Sequence, residues 1–215
     1  MIQAVIFDLD GTLLNSLADL GNSVNRVLTH FNKEIYPLST YNTFVGNGVY
    51  KLVQRAFGED FEALDTAFEL FLKDYEANCD VDSKLYEGVH ELLKSLNDKN
   101  IPIAISTNKA QNLTDKLVKH YMGDIEFVAV IGDRFDDLKK PNPHYPLQIM
   151  DKMNLKPENI LFVGDSDVDM MTAKSAGFKA VGVSWGFRST EELERSGANE
   201  IITNASEVLK FFENV

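Results

Sequence analysis

The sequence predicts an α/β fold: a Rossmann-like, mostly parallel sheet flanked by helices, with an all-helical cap subdomain inserted after the first strand. Three observations carry this. Short apolar runs recur at 3–7, 101–106, 126–131 and 160–163, separated by helix-length segments. Between them, apolar residues return at the spacing of one helix face. Residues 14–82 break the alternation, with three helical patterns and no convincing strand. Strand alternating with helix is the pattern of a parallel sheet covered on both faces, whose ligands sit beyond the carboxyl ends of the strands.

The elements follow in order. Residues 3–7 (QAVIF) read as a buried strand that ends at Asp8 and Asp10 and turns at Gly11 and Thr12. In the insert, Leu17, Leu20, Val24, Val27, Leu28 and Phe31 make one apolar stripe over 16–31. Val49, Leu52, Val53, Ala56 and Phe57 make a second, and the third, over 61–72, is broad and aromatic. The return at 82–86 is short, so the predicted domains are a core of 1–13 plus 83–215 and a helical cap of 14–82. The cap is expected over the strand ends, with hinges near 14–18 and 79–86. Further helices are expected over 86–96, 145–153, 167–176 (ending at Gly177 as C-cap) and 205–212. A weaker strand is expected over 179–184, interrupted by Gly182.

Composition bounds the function. The 215 residues fit one domain, or a core with a smaller insert. Thirty-three acids against 21 Lys and Arg give a net charge of -12, which argues against a nucleic-acid partner. The single Cys79 forms no internal disulfide and is expected to be a small packed side chain. The first strand reaches Asp8 at once, and no run approaches the roughly 18 apolar residues of a membrane span. The expectation is a cytoplasmic protein with no membrane partner. No P-loop pattern and no GxGxxG fingerprint is present.

Four polar segments lie at strand-to-helix transitions. Asp8 and Asp10, two residues apart in DLDGT, can aim both carboxylates to one side of a strand end. Paired carboxylates repel, and a hard, oxygen-seeking Mg²⁺ ion relieves them. A solvated turn would explain these two acids alone. In GDSDVDM, Asp165, Asp167 and Asp169 follow the strand at 160–163. Helix capping accounts for one acid there but does not need three. Ser106-Thr107-Asn108-Lys109 places a hydroxyl and a helix-start turn after IPIAI, where phosphoryl oxygens can be held. Lys140 in KKPNP supplies positive charge, although a solvated loop would read the same.

Together these segments, DLDGT at 8–12, Thr107 in ISTNK, Lys140 in KKPNP and GDSDVDM at 164–170, resemble the haloacid dehalogenase-like phosphohydrolases with an inserted helical cap. VGNG at 45–48 and GVSWGFRS at 182–189 are similar to the phosphoglycolate phosphatase-like subgroup. The resemblance implies Asp8 as nucleophile and Asp10 as acid, then base. It also implies Thr107 and Lys140 as catalytic groups, and Asp8, Asp10, Asp165 and Asp169 around Mg²⁺, with Asp169 tuning the metal or orienting Lys140. Gly11 and Asn108 would approach the phosphoryl group, and Gly46 and Gly48 would form the cap's substrate loop with Asn47. Lys51 and Arg188 are candidates for a substrate carboxylate, though solvated positions suit both.

The expected activity is Mg²⁺-dependent hydrolysis of a small phosphorylated metabolite by a monomer or homodimer. Alternatives are a pyrophosphatase, a broad sugar- or nucleotide-phosphate phosphatase, a β-phosphoglucomutase-like enzyme and a non-enzymatic phosphoryl-accepting domain. VGNG departs from the mutase cap loop, and a phosphoryl-accepting domain leaves the large helical insert unexplained.

Overall fold

The structure is a computed structural model, and it describes residues 1–212. Its strands are β1 (Ala4–Phe7), β2 (Leu14–Asn15), β3 (Lys84–Leu85), β4 (Ile103–Ala110), β5 (Ala129–Asp133), β6 (Ile160–Gly164), β7 (Lys179–Val183) and β8 (Glu200–Ile202). Six of them form one parallel sheet in the order β5-β4-β1-β6-β7-β8. β1 is a central strand, and all four of its residues are buried, as a strand covered on both faces requires. From β1 the chain adds β4 and β5 on one side, then β6, β7 and β8 on the other. The carboxyl end of β1 is therefore the switch point, where this architecture opens a crevice.

Side chains alternate across the sheet. Val5 and Phe7 join Ile103, Ile105, Leu161 and Val163 on one face, while Ala4 and Ile6 join Ala104, Ile160 and Phe162 on the other. The first face runs without a break into the inserted helices through Leu14, Leu20, Val24 and Phe71.

The inserted helices are α1 (Leu17–His30), α2 (Tyr41–Phe44), α3 (Val49–Phe57) and α4 (Leu64–Asn78). Those after them are α5 (Val89–Asp98), α6 (Gln111–Tyr121), α7 (His144–Lys152), α8 (Asp167–Ala176) and α9 (Thr190–Ser196). The three expected apolar stripes of the insert become α1, α3 and α4, and α2 is an additional single turn. The closing segment Ala205–Phe212 is a 3-10 helix rather than an α-helix. Among the described residues, no helix is long and apolar enough to cross a membrane.

Two differences from the sequence reading matter for the site. First, β4 runs four residues past the expected end at 106, with a register shift between Ser106 and Ala110. A bulge of this kind re-aims side chains, so Thr107, Asn108 and Lys109 belong to the strand and not to a helix-start turn. Second, the segment expected to lack strands begins with one. β2 pairs antiparallel with β3, Leu14 opposite Leu85 and Asn15 opposite Lys84, where the chain leaves and re-joins the sheet. Two-residue strands are too short to show periodicity. Buried Asp19 on α1 reinforces this junction by accepting bonds from Asp82 N, Ser83 N and Ser83 Oγ at 2.9, 2.8 and 2.7 Å.

Candidate active site

Asp8 follows β1 directly, and its N–H still donates to Val163 O of β6, so the sheet fixes its backbone. Its side chain is buried and meets Lys140 Nζ, 2.8 Å from Asp8 Oδ1. That contact is an ion pair without the angle of a directed hydrogen bond, and Oδ1 accepts no other bond. Lys140 Nζ donates to Asp169 Oδ1 at 2.5 Å. The other oxygen of Asp169 accepts from Ser166 N and Ser166 Oγ at 3.1 and 2.6 Å, closing the capping box that starts α8. Both oxygens of Asp169 are thus engaged by protein groups.

Asp165, at the end of β6, accepts the Phe187 N–H on Oδ2 at 2.7 Å. It is wedged between two glycines. A Cβ at Gly11 would stand 2.2 Å from Asp165 Oδ2, and one at Gly186 would stand 2.2 Å from Asp165 Cβ. Gly11 also has φ 86°, where a side chain is strained. The absence of a side chain at Gly11 makes room for Asp165. Gly186 lies within GVSWGFRS, but nothing in that segment marked it as a neighbour of Asp165.

Carboxylate oxygens of Asp8, Asp165 and Asp169 lie within 4.8 Å of one another, all buried. Burial, and then the charge of Asp169, raise the pKa of Asp8 to about 6 against the opposing pull of Lys140. Burial, with Asp169 and Asp8, pushes Asp165 well above the carboxylate range. Burial works against the charge of Lys140, but Asp169 and Asp8 outweigh it and raise its pKa. The raised Asp8 and the raised Lys140 are both consistent with a shortage of cations. With all three acids ionised, the cluster exceeds its one ammonium by two negative charges. An all-oxygen buried cluster that needs added positive charge to ionise fits a hard divalent ion.

Thr107 is buried on β4, and its Oγ1 accepts from Lys109 N at 3.3 Å. Asn108 donates Nδ2 to Lys140 O at 2.9 Å, bracing the lysine loop, while its Oδ1 is buried and unpartnered. Asp10 is held from two sides. Ser16 Oγ donates to its Oδ1 at 2.6 Å, and Lys109 Nζ reaches both oxygens at 3.1 and 3.0 Å. Lys109 was legible only as a polar residue beyond a strand. The continuation of β4 turns it inward, where its side chain is 1% exposed.

These residues floor a cleft of about 490 Å³, counting its open mouth. The roof is apolar, made by Leu20, Val45, Val49, Leu52 and Phe187, with Gly46 and Gly48 at its rim. Asn47, Lys51 and Arg188 do not line the cleft. Asn47 Oδ1 accepts from Arg55 Nη2 at 2.6 Å, and exposed Lys51 donates to Gln54 Oε1 at 2.6 Å. Arg188 donates to Asn42 O and, at 2.6 Å, to Val45 O, joining the loop after β7 to the end of α2. Carbonyls left free at a helix end attract such a cation.

The haloacid dehalogenase-like hydrolase family model matches residues 5–183. A phosphoglycolate phosphatase of Nitrosospira multiformis is 32% identical over 99% of this chain and 96% of its own length. One from Mannheimia succiniciproducens is 35% identical over 95% of each chain. The crystal structure of a predicted phosphoglycolate phosphatase from Haemophilus somnus superposes with a TM-score of 0.91 at 31% identity, covering 99% of this chain and 98% of that one.

Proposed function

This chain belongs to the haloacid dehalogenase-like hydrolases, and on that premise we propose that it hydrolyses a small phosphate monoester, phosphoglycolate foremost, through a phospho-aspartate on Asp8. One observation supports this above the rest. Buried Asp8 meets a single lysine at the floor of a small cleft, within reach of two further carboxylates and beside the hydroxyl-bearing strand β4.

In the first step an Asp8 carboxylate oxygen attacks phosphorus, and the bond from phosphorus to the ester oxygen breaks. Asp10 gives that leaving oxygen its proton. In the second step Asp10, now a carboxylate, takes a proton from water as the water oxygen attacks the acyl phosphate. Inorganic phosphate leaves and Asp8 is restored. Lys140 balances charge on Asp8 and on the transferring group, and Asp169 orients Lys140. Thr107 and the backbone at Asn108 hold phosphoryl oxygens. Asp8, the Asp10 carbonyl and Asp165 would hold Mg²⁺, which when bound offsets the excess negative charge of the cluster.

Residues 14–82 act as a cap whose apolar roof excludes bulk water during ester cleavage. No Lys or Arg belongs to that roof. The donors near Gly48 suited to a substrate carboxylate are main-chain N–H groups at the start of α3. Phosphate release from phosphoglycolate, sugar phosphates, nucleotides and pyrophosphate, with Mg²⁺ and with chelator, tests the proposal. Mg²⁺-dependent turnover led by phosphoglycolate is expected. No turnover of any ester would overturn it.

A further inference from the structure

Lys109 is a buried cation that the phosphoryl-transfer steps do not use. Its ammonium has three partners: the two oxygens of Asp10, at 3.1 and 3.0 Å, and the Tyr75 hydroxyl at 2.6 Å. Near-equal distances to both oxygens restrain rotation of the carboxyl plane as well as its position. Ser16 Oγ, at the start of α1, adds a bond to Oδ1. Lys140 cannot share this duty, because Asp8 and Asp169 occupy it.

The third partner comes from another part of the molecule. Tyr75 lies on α4, fully buried and stacked on Phe71 at a centroid distance of 5.4 Å. Lys109 lies on β4 of the sheet. An ammonium sealed from water is costly unless each of its donors is matched. Here the match is complete only when α4 sits against the sheet. Burial, and then the Asp10 charge, raise the Tyr75 pKa well above the phenol range, so the hydroxyl remains a neutral partner.

We propose that Lys109 is a positioning residue for Asp10, and that Tyr75 makes this positioning depend on the inserted helices being seated on the core. The proposal rests on the reading of Asp10 as the acid and base of phosphate-ester hydrolysis. In that reading an unseated insert leaves Lys109 short of a partner and Asp10 free to rotate, so proton transfer is coupled to closure of the cleft.

Leaving-group dependence tests it. An alkyl phosphate needs a proton on its leaving oxygen, whereas p-nitrophenyl phosphate does not. Single-turnover rates are measured for p-nitrophenyl phosphate and for whichever alkyl phosphate the substrate panel ranks first. The proteins are wild type, Lys109→Met, Lys109→Arg and Tyr75→Phe. Lys109→Met is expected to slow the alkyl ester by about tenfold or more beyond its effect on the nitrophenol burst. Lys109→Arg should recover part of that difference. Tyr75→Phe removes one oxygen and keeps the ring, so it gives the same selective loss in smaller degree and serves if Lys109→Met does not fold.

Equal losses on the two esters overturn the positioning role, as does an unchanged alkyl-ester rate. In either case the Asp8 reading stands, provided that wild type turns over both esters and Asp8→Asn turns over neither. A wild-type chain inert to both esters overturns the hydrolase reading itself.

Discussion

Lys140 Nζ stands 2.5 Å from Asp169 Oδ1, and both side chains are sealed from solvent. The same carboxylate caps α8 through Ser166, so one residue both starts a helix and aims the lysine at Asp8. Asp169→Ala should remove both bonds. The expected loss is about 3–5 kcal/mol, as for breaking a buried pair from one side. Asp169→Asn keeps a capping acceptor and should lose less stability while still lowering kcat. Urea unfolding alongside steady-state assay separates the two. Equal stability of Asp169→Ala and wild type would remove the anchor role.

Asp8→Asn should abolish turnover in a folded protein, and its stability should carry a pH signature. The native pKa of Asp8 is about 6, above its ordinary value of 3.8, because of burial and Asp169. The native state therefore holds a proton that the unfolded chain has released between these values, and stability falls as pH rises through that window. Above about 6 the whole penalty is present. Without metal, Asp8→Asn should be the more stable protein at pH 7–8, with its advantage shrinking as pH falls from 6 towards 4. Melting temperatures across this range check it; a constant difference would contradict the assignment.

Metal should act in the opposite sense. Under the proposed function Mg²⁺ would bind the native cluster and not the unfolded chain, so its stabilisation would grow as RT ln(1 + [L]/Kd), about 2.7 kcal/mol at 100 times Kd. The rise in melting temperature with Mg²⁺ should be large at pH 8 and weaken below pH 6, where protonation of Asp8 competes. A rise that persists unchanged at low pH would place the ion elsewhere.

Gly11→Ala tests the wedge around Asp165. A Cβ there would stand 2.2 Å from Asp165 Oδ2, inside any allowed contact, and φ is 86°. Asp165 or the loop must shift. Stability should fall by about 1–3 kcal/mol from strain and overpacking, and the Mg²⁺-induced rise in melting temperature should be lost. A variant that keeps the full Mg²⁺ response would show that Asp165 has no part in the metal site.

Arg188→Ala separates a structural tie from substrate binding. The guanidinium bonds the carbonyls of Asn42 and Val45, and hydrogen bonds to charged groups are each worth about 1.5–3 kcal/mol. Hydrogen exchange should quicken across 41–48, and KM should move alike for acidic and neutral esters. A rise in KM confined to acidic esters would instead assign Arg188 to the substrate.

Much of this molecule is local enough to read from the chain. The run AVIF before Asp8 and ILFV before Gly164 are buried central strands. The stripe of Leu20, Val24, Val27 and Leu28 is the buried face of α1. Asp8, Asp165, Asp169 and Lys140 converge because each follows or leads to a strand end on the same edge of one sheet. Such features depend on periodicity and on where polar segments fall relative to strand ends, which residue type and spacing encode. The pairing of β2 with β3, the length of β4 and the short β8 do not, since they arise from contacts between distant segments.

The sequence by itself determined the alternation of strand and helix, the helical insert and the four polar segments. Only the tertiary structure decided how their charges are partnered. It sends Lys109 inward to Asp10 and Tyr75, turns Arg188 to the end of α2, engages both oxygens of Asp169, and packs Gly11 and Gly186 against Asp165. The reason is physical: a buried charge is settled by which opposite charge the fold brings within about 3 Å, and that distance belongs to packing, not to spacing along the chain.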